Sequence, residues 1–280
     1  MKHSWNELRP FRVGEDSRVS RGDANMHRIL DHIERFLLVI SRDSGGKVRV
    51  HIRAGPRHRS TLDGLEGMEA VPCKSFDFAG YTVYSRYSLR RHCSVPIAHR
   101  EAQRTSLYRT LGLGVPSPAY LAIYARKMDT SSAITAYIRC IERGLPPEGI
   151  LRHISAGSAR AKVSSRGRAR IKDAQEKLAG RLLFCKMSTG ASSASEEGAI
   201  QGVLPARAFA AKRSGYRAVS GAHSGRLSPP WLGGSKSIIL SDVELLSFLS
   251  MPDDSDMENI NFEFGRLQSG SAGLRDGSIR

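Results

Sequence analysis

Between residues 36 and 54 the chain alternates in a way that leaves few folds open to it. An apolar run, Phe36-Leu37-Leu38-Val39-Ile40, is followed by Asp43-Ser44-Gly45-Gly46, and then Val48, Val50 and Ile52 interleave with Arg49, His51 and Arg53. Period two around a Gly-Gly turn predicts a β-hairpin with one covered face and one wet, basic face. His51 falls on the wet face and reads as a solvated strand residue rather than a ligand. A hairpin with one apolar face needs a cover, so helices must pack on it.

The rest of the chain supplies them in alternation with further strands. Residues 62–68 read as a short helix weakened by Gly64 and Gly67, residues 81–86 as a strand ending near Arg90-Arg91, and residues 98–111 as a helix closed by Gly112 and Gly114. Residues 120–124 form the next strand, and Ile134, Ile138 and Ile141 lie on one helical face that Gly144 and Pro146 terminate. Farther on come a helix at 172–178, a strand at 182–187, a longer helix at 196–213 interrupted near Pro205, and a Gly/Ser/Pro loop at 221–234. The clearest cap is Ser241-Asp242-Val243-Glu244, an S-x-x-E box ahead of the apolar Leu245, Leu246, Phe248 and Leu249, with Pro252 beyond. The expectation is an α+β protein of two similar-sized units, each a small sheet with helices packed on one face in the ferredoxin-like manner. The divisions are a flexible arm at 1–25, a first unit at 26–150, a basic linker at 151–172, a second unit at 173–265 and a flexible tail at 266–280.

That linker is where charge decides the functional class. The 280 residues carry 43 Lys and Arg against 27 Asp and Glu, a formal net charge of +16, which favours a polyanionic partner. Residues 155–170 contain no acid and almost no large apolar side chain. Arginines spaced every second or third residue in such a chain can each reach a backbone phosphate and release counterions. The candidate phosphate-holding residues are Arg160, Lys162, Arg166, Arg168, Arg170 and Lys172. No aromatic residue stands between Arg152 and Arg181, so base stacking is not suggested there, and a duplex backbone fits better. The bland alternative is a solvated linker whose charge only keeps the protein soluble.

Motifs for chemistry are missing. There is no G-x-x-x-x-G-K-[ST]; Gly233-Gly234-Ser235-Lys236-Ser237 lacks the Gly-Lys adjacency, and Gly221-Ala222-His223-Ser224-Gly225 has histidine where a nucleophile elbow needs serine. The nine histidines show no H-x-x-x-H spacing, and Cys73, Cys93, Cys140 and Cys185 form no C-x-x-C pair. The expectation is therefore a non-enzyme with no catalytic residue, no metal and no cofactor, whose four cysteines are buried free thiols. The longest apolar runs are far too short to span a bilayer, and the first residues lack the apolar core of a secretory signal. A cytoplasmic protein is expected, reaching a membrane surface only through a partner.

One stretch carries a family resemblance. Ile238-Ile239-Leu240-Ser241-Asp242-Val243-Glu244-Leu245-Leu246-Ser247-Phe248-Leu249-Ser250-Met251-Pro252 resembles the L-S-x-x-E-L-x-x-L-x-H-x-P segment just upstream of the motor in HerA-like and conjugation-type (TraG-like) DNA-translocating ATPases. The preceding order of helix, strand, long helix and loop from Ala174 onward is also similar. Phe264-Gly265-Arg266-Leu267-Gln268-Ser269-Gly270 resembles the entry to the motor domain. The likeness covers residues 174–270 at most, and Ser250 stands where that family usually has histidine. It implies an accessory module that binds nucleic acid, DNA in preference to RNA, and works with a P-loop ATPase on a separate chain. The ATPase would dock on Glu244, Leu245, Phe248 and Leu249. Two other readings stay open: an RNA- or ribosome-associated basic protein, and an enzyme of unrecognised type.

Overall fold

A computed structural model of the chain describes residues 4–11, 22–89, 107–115, 118–128, 177, 180–207, 216–222, 238–247 and 249–265. Their strands are β1 (Ser4–Pro10), β2 (Arg35–Arg42), β3 (Val48–Ala54), β4 (Met68–Cys73), β5 (Val83–Leu89), β6 (Ala119–Lys127), β7 (Leu182–Ala191), β8 (Tyr216–Ala222) and β9 (Ile238–Ser241). The helices are α1 (Gly22–His32), α2 (Arg59–Asp63), α3 (Leu107–Leu113), α4 (Ala194–Arg207), α5 (Asp242–Leu246) and α6 (Asp254–Asn259). All nine strands belong to one antiparallel sheet, eight of them side by side in the order β4-β1-β3-β2-β6-β7-β5-β8. The ninth, β9, shares one edge of β7 with β5: β5 pairs with Met187–Ala191 and β9 with Leu182–Cys185.

The hairpin β2–β3 forms as its sequence predicts. Asp43 N–H donates to Lys47 O at 3.0 Å, Gly46 N–H to Asp43 O at 2.9 Å, and Lys47 N–H to the Asp43 carboxylate at 2.9 Å. Gly46 adopts φ 79°, the left-handed conformation that favours glycine in such a turn. Directly opposed residues of an antiparallel pair share a face, so Leu38, Ile40, Val50 and Ile52 all point the same way. Every described helix contributes to the cover on that side: Met26, Ile29 and Leu30 from α1, Leu62 from α2, Tyr108 and Leu111 from α3, Ile200 from α4, Leu245 from α5 and Met257 from α6. Helices on one face, as expected, is how the sheet is closed.

The opposite face has a different cover. The segment joining β4 to β5 must cross from one edge of the sheet to the far side of β7, which is six strand spacings in the observed order. At about 4.8 Å each that is about 29 Å, and the ten residue steps from Cys73 to Val83 supply about 33 Å when extended. The strap turns once on the way, where Tyr81 N–H donates to Phe78 O at 3.2 Å, and its Phe76, Phe78 and Tyr81 pack onto Trp5, Leu37, Val39, Tyr120 and Ala122. A sheet sandwiched between helices and an aromatic strap buries both of its faces at this point.

Two expectations are corrected. The first residues are not a free arm: β1 lies between β3 and β4, with Trp5 opposite Arg53 and Cys73, and Leu8 opposite Val50 and Ala70. Trp5 and Leu8 are both buried but on opposite faces, so the segment has no period-two signal to read. Asn6 accepts from the guanidinium of the distant Arg59, and Glu7 from that of Arg9, two residues along the same strand, at 2.7 Å. Nor are there two sheets. β6 and β7, from opposite sides of the basic segment, pair from Ala119↔Ala191 to Lys127↔Leu183, so residues 128–181 are an excursion between two neighbouring strands of a single sheet. Smaller differences follow: α2 starts earlier than the helix read at 62–68, β4 occupies the end of that stretch, and Pro72 is tolerated because β4 is an edge strand. Pro205 lies within α4 rather than interrupting it. Residues 90–106 and 129–150, where further helices were expected, lie outside the described residues.

Leu8→Ala separates a core strand from an arm. It should cost about 2–5 kcal/mol of unfolding free energy in urea titration, whereas an arm residue would leave the midpoint unmoved.

Candidate nucleic-acid interface

Register sorts the charges of the sheet. On the face turned away from the helices, β1 presents Glu7 and Arg9, β3 presents Arg49, His51 and Arg53, and β2, β5, β6 and β7 present Arg35, Arg86, Arg126 and Lys186. β4 adds Glu69 there. The helix-facing positions of the same strands are apolar or neutral except at the strand ends, where Arg42 and Lys127 stand. This one-sidedness follows from the pleat, because a cation under the helices would have to leave water without a partner.

Within this face the strap and the cations divide the surface. Phe76 lies 5.3 Å from the His51 ring, Phe78 packs edge-on to Tyr120 at 5.3 Å, and Tyr81 does the same at 4.8 Å. His51 is thus covered, not wet. Its burial, helped by Arg49 and Arg9 and opposed by Glu7, lowers its pKa from 6.5 to about 4, and its Nδ1 is buried without a hydrogen bond among the described residues. Arg49 reaches Asp43 and Glu263 at 3.6 and 3.7 Å, and Arg53 sits 6.0 Å over Trp5.

At the end of the sheet where β6 finishes and β7 begins two rows cross the face, the second of them bordering the strap's aromatic cluster through Leu37 and Tyr124. One reads Arg35, Arg126, Phe184 and Ile239, and the next Arg53, Leu37, Tyr124 and Lys186. Neither row holds an acid. The Arg126 guanidinium lies 5.1 Å over the Phe184 ring and is exposed, while Phe184 and Tyr124 are partly so. The carboxylates at this end serve other cations: Glu34 bonds Arg57 at 2.5 Å and Asp31 bonds Arg181 at 2.7 Å. The Arg181 hydrogen bond holds the Asp31 carboxyl below the usual carboxylate range.

The residues singled out from sequence fare unevenly. Arg160, Lys162, Arg166, Arg168, Arg170 and Lys172 lie outside the described residues, as does Phe248. The flanks of their segment are placed: Met128 N–H donates to Leu182 O at 3.0 Å, so the excursion leaves and returns at the sheet end that carries Arg35, Arg126 and Phe184. Two cations of the basic stretch face inward or find acids. Lys177 is 5% exposed and pairs with Glu244 at 2.9 Å, and Arg181 binds Asp31 and the Leu30 carbonyl. The expected docking side chains are internal as well. Glu244 is 3% exposed, and Leu245 and Leu249 are fully buried, so in this fold a partner meets none of the three. The capping box that Glu244 shares with Ser241 is formed: Glu244 N–H donates to Ser241 Oγ at 3.2 Å, and Ser241 N–H to the Glu244 carboxylate at 2.9 Å. What α5 shows outward is Val243, 64% exposed.

Cys185 is a buried free thiol, and Cys73 is a half-buried one. Burial pushes both thiols up, which keeps them protonated and poorly nucleophilic. Cys93 and Cys140 lie outside the described residues. Among the described residues no group of three His, Cys, Asp or Glu side chains is placed to hold a metal, and no helix is long and apolar enough to cross a membrane. A polar group that sequence alone did not suggest lies under α4: Thr189 donates to Glu197 at 2.6 Å, Tyr87 and Thr189 share a hydrogen bond at 3.2 Å, and Gln201 donates to Ser85 at 2.6 Å. Burial raises the Glu197 carboxyl, with the Thr189 bond opposing it.

Two measurements test these assignments. Lys177→Met leaves the Glu244 carboxylate buried without its counter-ion and should cost about 3–5 kcal/mol in chemical denaturation. Adding Glu244→Gln, which keeps the box, should recover most of that loss. For His51 the folded pKa lies below the unfolded one, so the unfolded chain takes up the proton first and stability falls as pH drops from about 6.5 to about 4, by about 3 kcal/mol at most. Relative to wild type, His51→Gln should flatten the stability profile over that window. No protein-family model matches the chain, and no curated protein matches it.

Proposed function

We propose that the chain is a non-catalytic module that binds the phosphate backbone of nucleic acid, DNA in preference to RNA. What carries the reading is the distribution of charge: an excess of +16, an acid-free stretch at 155–170 in the sequence that joins β6 to β7, and a cationic sheet face to which both of those strands belong. Cations gathered on one surface bind a polyanion by releasing its counterions, without reading sequence. The core beneath is closed by helices, so the cations of the sheet face stand on a packed support.

Partnership with a HerA-like or conjugation-type ATPase on a separate chain belongs to the same proposal and is supported by the sequence resemblance over residues 174–270. Because Glu244, Leu245 and Leu249 pack internally, α5 would meet such a motor through its outward side, where Val243 stands, while the capped helix and its ion pair keep that side in position.

Fluorescence anisotropy of the full chain with duplex DNA, repeated across a salt series, tests the reading. The logarithm of affinity should fall linearly with the logarithm of salt, and replacing Arg160, Arg166, Arg168 and Arg170 with Ala should reduce the slope by about 1 for each phosphate no longer held. A stronger affinity for structured RNA than for duplex DNA would transfer the proposal to an RNA partner. Indifference to both at low salt would sink it.

A further inference from the structure

Glu197 and Glu244 are buried to a similar degree and furnished differently. Glu244, 3% exposed, has the Lys177 ammonium at 2.9 Å and the Ser241 amide at 2.9 Å. Glu197, 1% exposed, has one neutral donor, the Thr189 hydroxyl at 2.6 Å from Oε1. Its Oε2 is buried and accepts no hydrogen bond among the described residues. The amides at the start of α4 do not serve the carboxyl either, since Glu196 N–H donates to Ser193 Oγ at 3.3 Å and Glu197 N–H to Ser193 O at 3.0 Å.

No charge on the elements packed around it takes the place of a counter-ion. α4 lies on β5, β7 and α3. From β5, Tyr87 faces Glu197, its hydroxyl 3.2 Å from Thr189 Oγ1. Tyr84, Arg86 and Lys186 stand on the opposite face of β5 and β7, and Cys185 lies toward the Lys177–Glu244 pair. On α3, Tyr108 donates to Ser250 O and Arg109 to Ser255 Oγ, both toward α6 and the residues before it. On α4 the neighbouring acid is Glu196, and through the sheet the Tyr120 phenol feels the charge of Glu197. Burial pushes the Tyr87 and Tyr120 phenols up, so neither ionises before the carboxyl.

A carboxyl taken out of water without a counter-ion favours its neutral form. Protonated, Oε2 becomes a donor, and Ser85 and Gln201 beside it each carry an oxygen able to accept. From this geometry we infer that Glu197 is held as the neutral acid beneath α4 and that its ionisation loosens α4 from β5 and β7, so that the helix is a latch closed by a proton. Opening uncovers Ile200 and Val203, which α4 otherwise packs into the core. Burial raises the Glu197 carboxyl in the same sense. With the folded value above the unfolded one, this stabilisation is complete below the unfolded carboxyl's range and is lost as pH rises through the folded value, opposite in sign to His51. The latch does not depend on nucleic-acid binding.

Hydrogen exchange of the full-length chain, read by mass spectrometry on peptides spanning 194–203 and corrected for the intrinsic rate at each pH, tests the latch. In the wild type the opening constant of that segment should rise, above the folded carboxyl's pKa, by up to about tenfold per pH unit. Glu197→Gln keeps the shape without ionising, and its opening constant should stay level across the series. Glu196→Gln alters the adjacent acid and should respond as the wild type does. The carbon-13 signal of the Glu197 carboxyl, assigned by through-bond correlation in the wild type, should titrate at higher pH than the exposed glutamates. Equal pH responses in the wild type and Glu197→Gln overturn the inference, and so does a level response in Glu196→Gln. Lower protection in Glu197→Gln at every pH also overturns it, because the carboxylate itself would then be what holds the helix. Should Glu197→Gln show no cooperative thermal unfolding, the carboxyl signal decides: titration with or below the exposed glutamates sinks the latch, and titration above them upholds it.

Discussion

The pairing of β7 along both of its edges is the constraint on which the rest of the structure depends. On one side it runs the full length of β6; on the other it is divided between β5, from the first third of the chain, and β9, from the last. Backbone groups at the middle of a sheet have no water to turn to, so each must find its partner in the ladder. Meeting that demand draws distant parts of the sequence together. Gly190 illustrates how closely: a Cβ there would collide with the Tyr120 ring on the neighbouring strand, so the crossing of β6 and β7 leaves no room for a side chain.

From that centre two consequences spread outward. Placing β5 beyond β7, while β4 sits at the far edge, obliges the 74–82 strap to cross the sheet, and its aromatic residues turn an otherwise exposed face into a second small core. Putting β6 next to β7 obliges residues 128–181 to depart and return at one end, beside Arg35 and Arg126. β9 runs directly into α5, and the Ser241 cap fixes Glu244 where its carboxylate meets both a backbone amide and Lys177. A buried ion pair of this kind contributes less to net stability than its short distance suggests, because both ions lost their hydration. Its effect is to fix one arrangement of residue 177 against the β9–α5 junction.

Much of the local structure was legible in the residues. The β2–β3 hairpin, the strands at β5, β6 and β7, and the capping box at Ser241 all carry signals that need no distant partner: a period, a Gly-Gly turn, an S-x-x-E spacing. α1 also had its signal, Met26, Ile29, Leu30 and Ile33 at helical spacing, although the polar residues up to 25 read as an arm that takes in its first turn. β1 had none. Its two large apolar residues face opposite ways, and its Asn6 is met by the distant Arg59, so only the completed sheet explains why it is a strand.

The candidate site divides along the same line. By itself the sequence determined the excess of cations, their acid-free concentration at 155–170 and the alternation that places Arg49, His51 and Arg53 on one face, because these depend on composition and on the pleat. Tertiary structure alone decided that His51 is covered, that Glu244 and Lys177 neutralise each other in the interior, and that Arg35, Arg126, Phe184 and Tyr124 meet at one corner. Those residues come from three strands whose adjacency depends on which partner each ladder found. Pairing between strands far apart in the chain leaves no periodic trace in either strand.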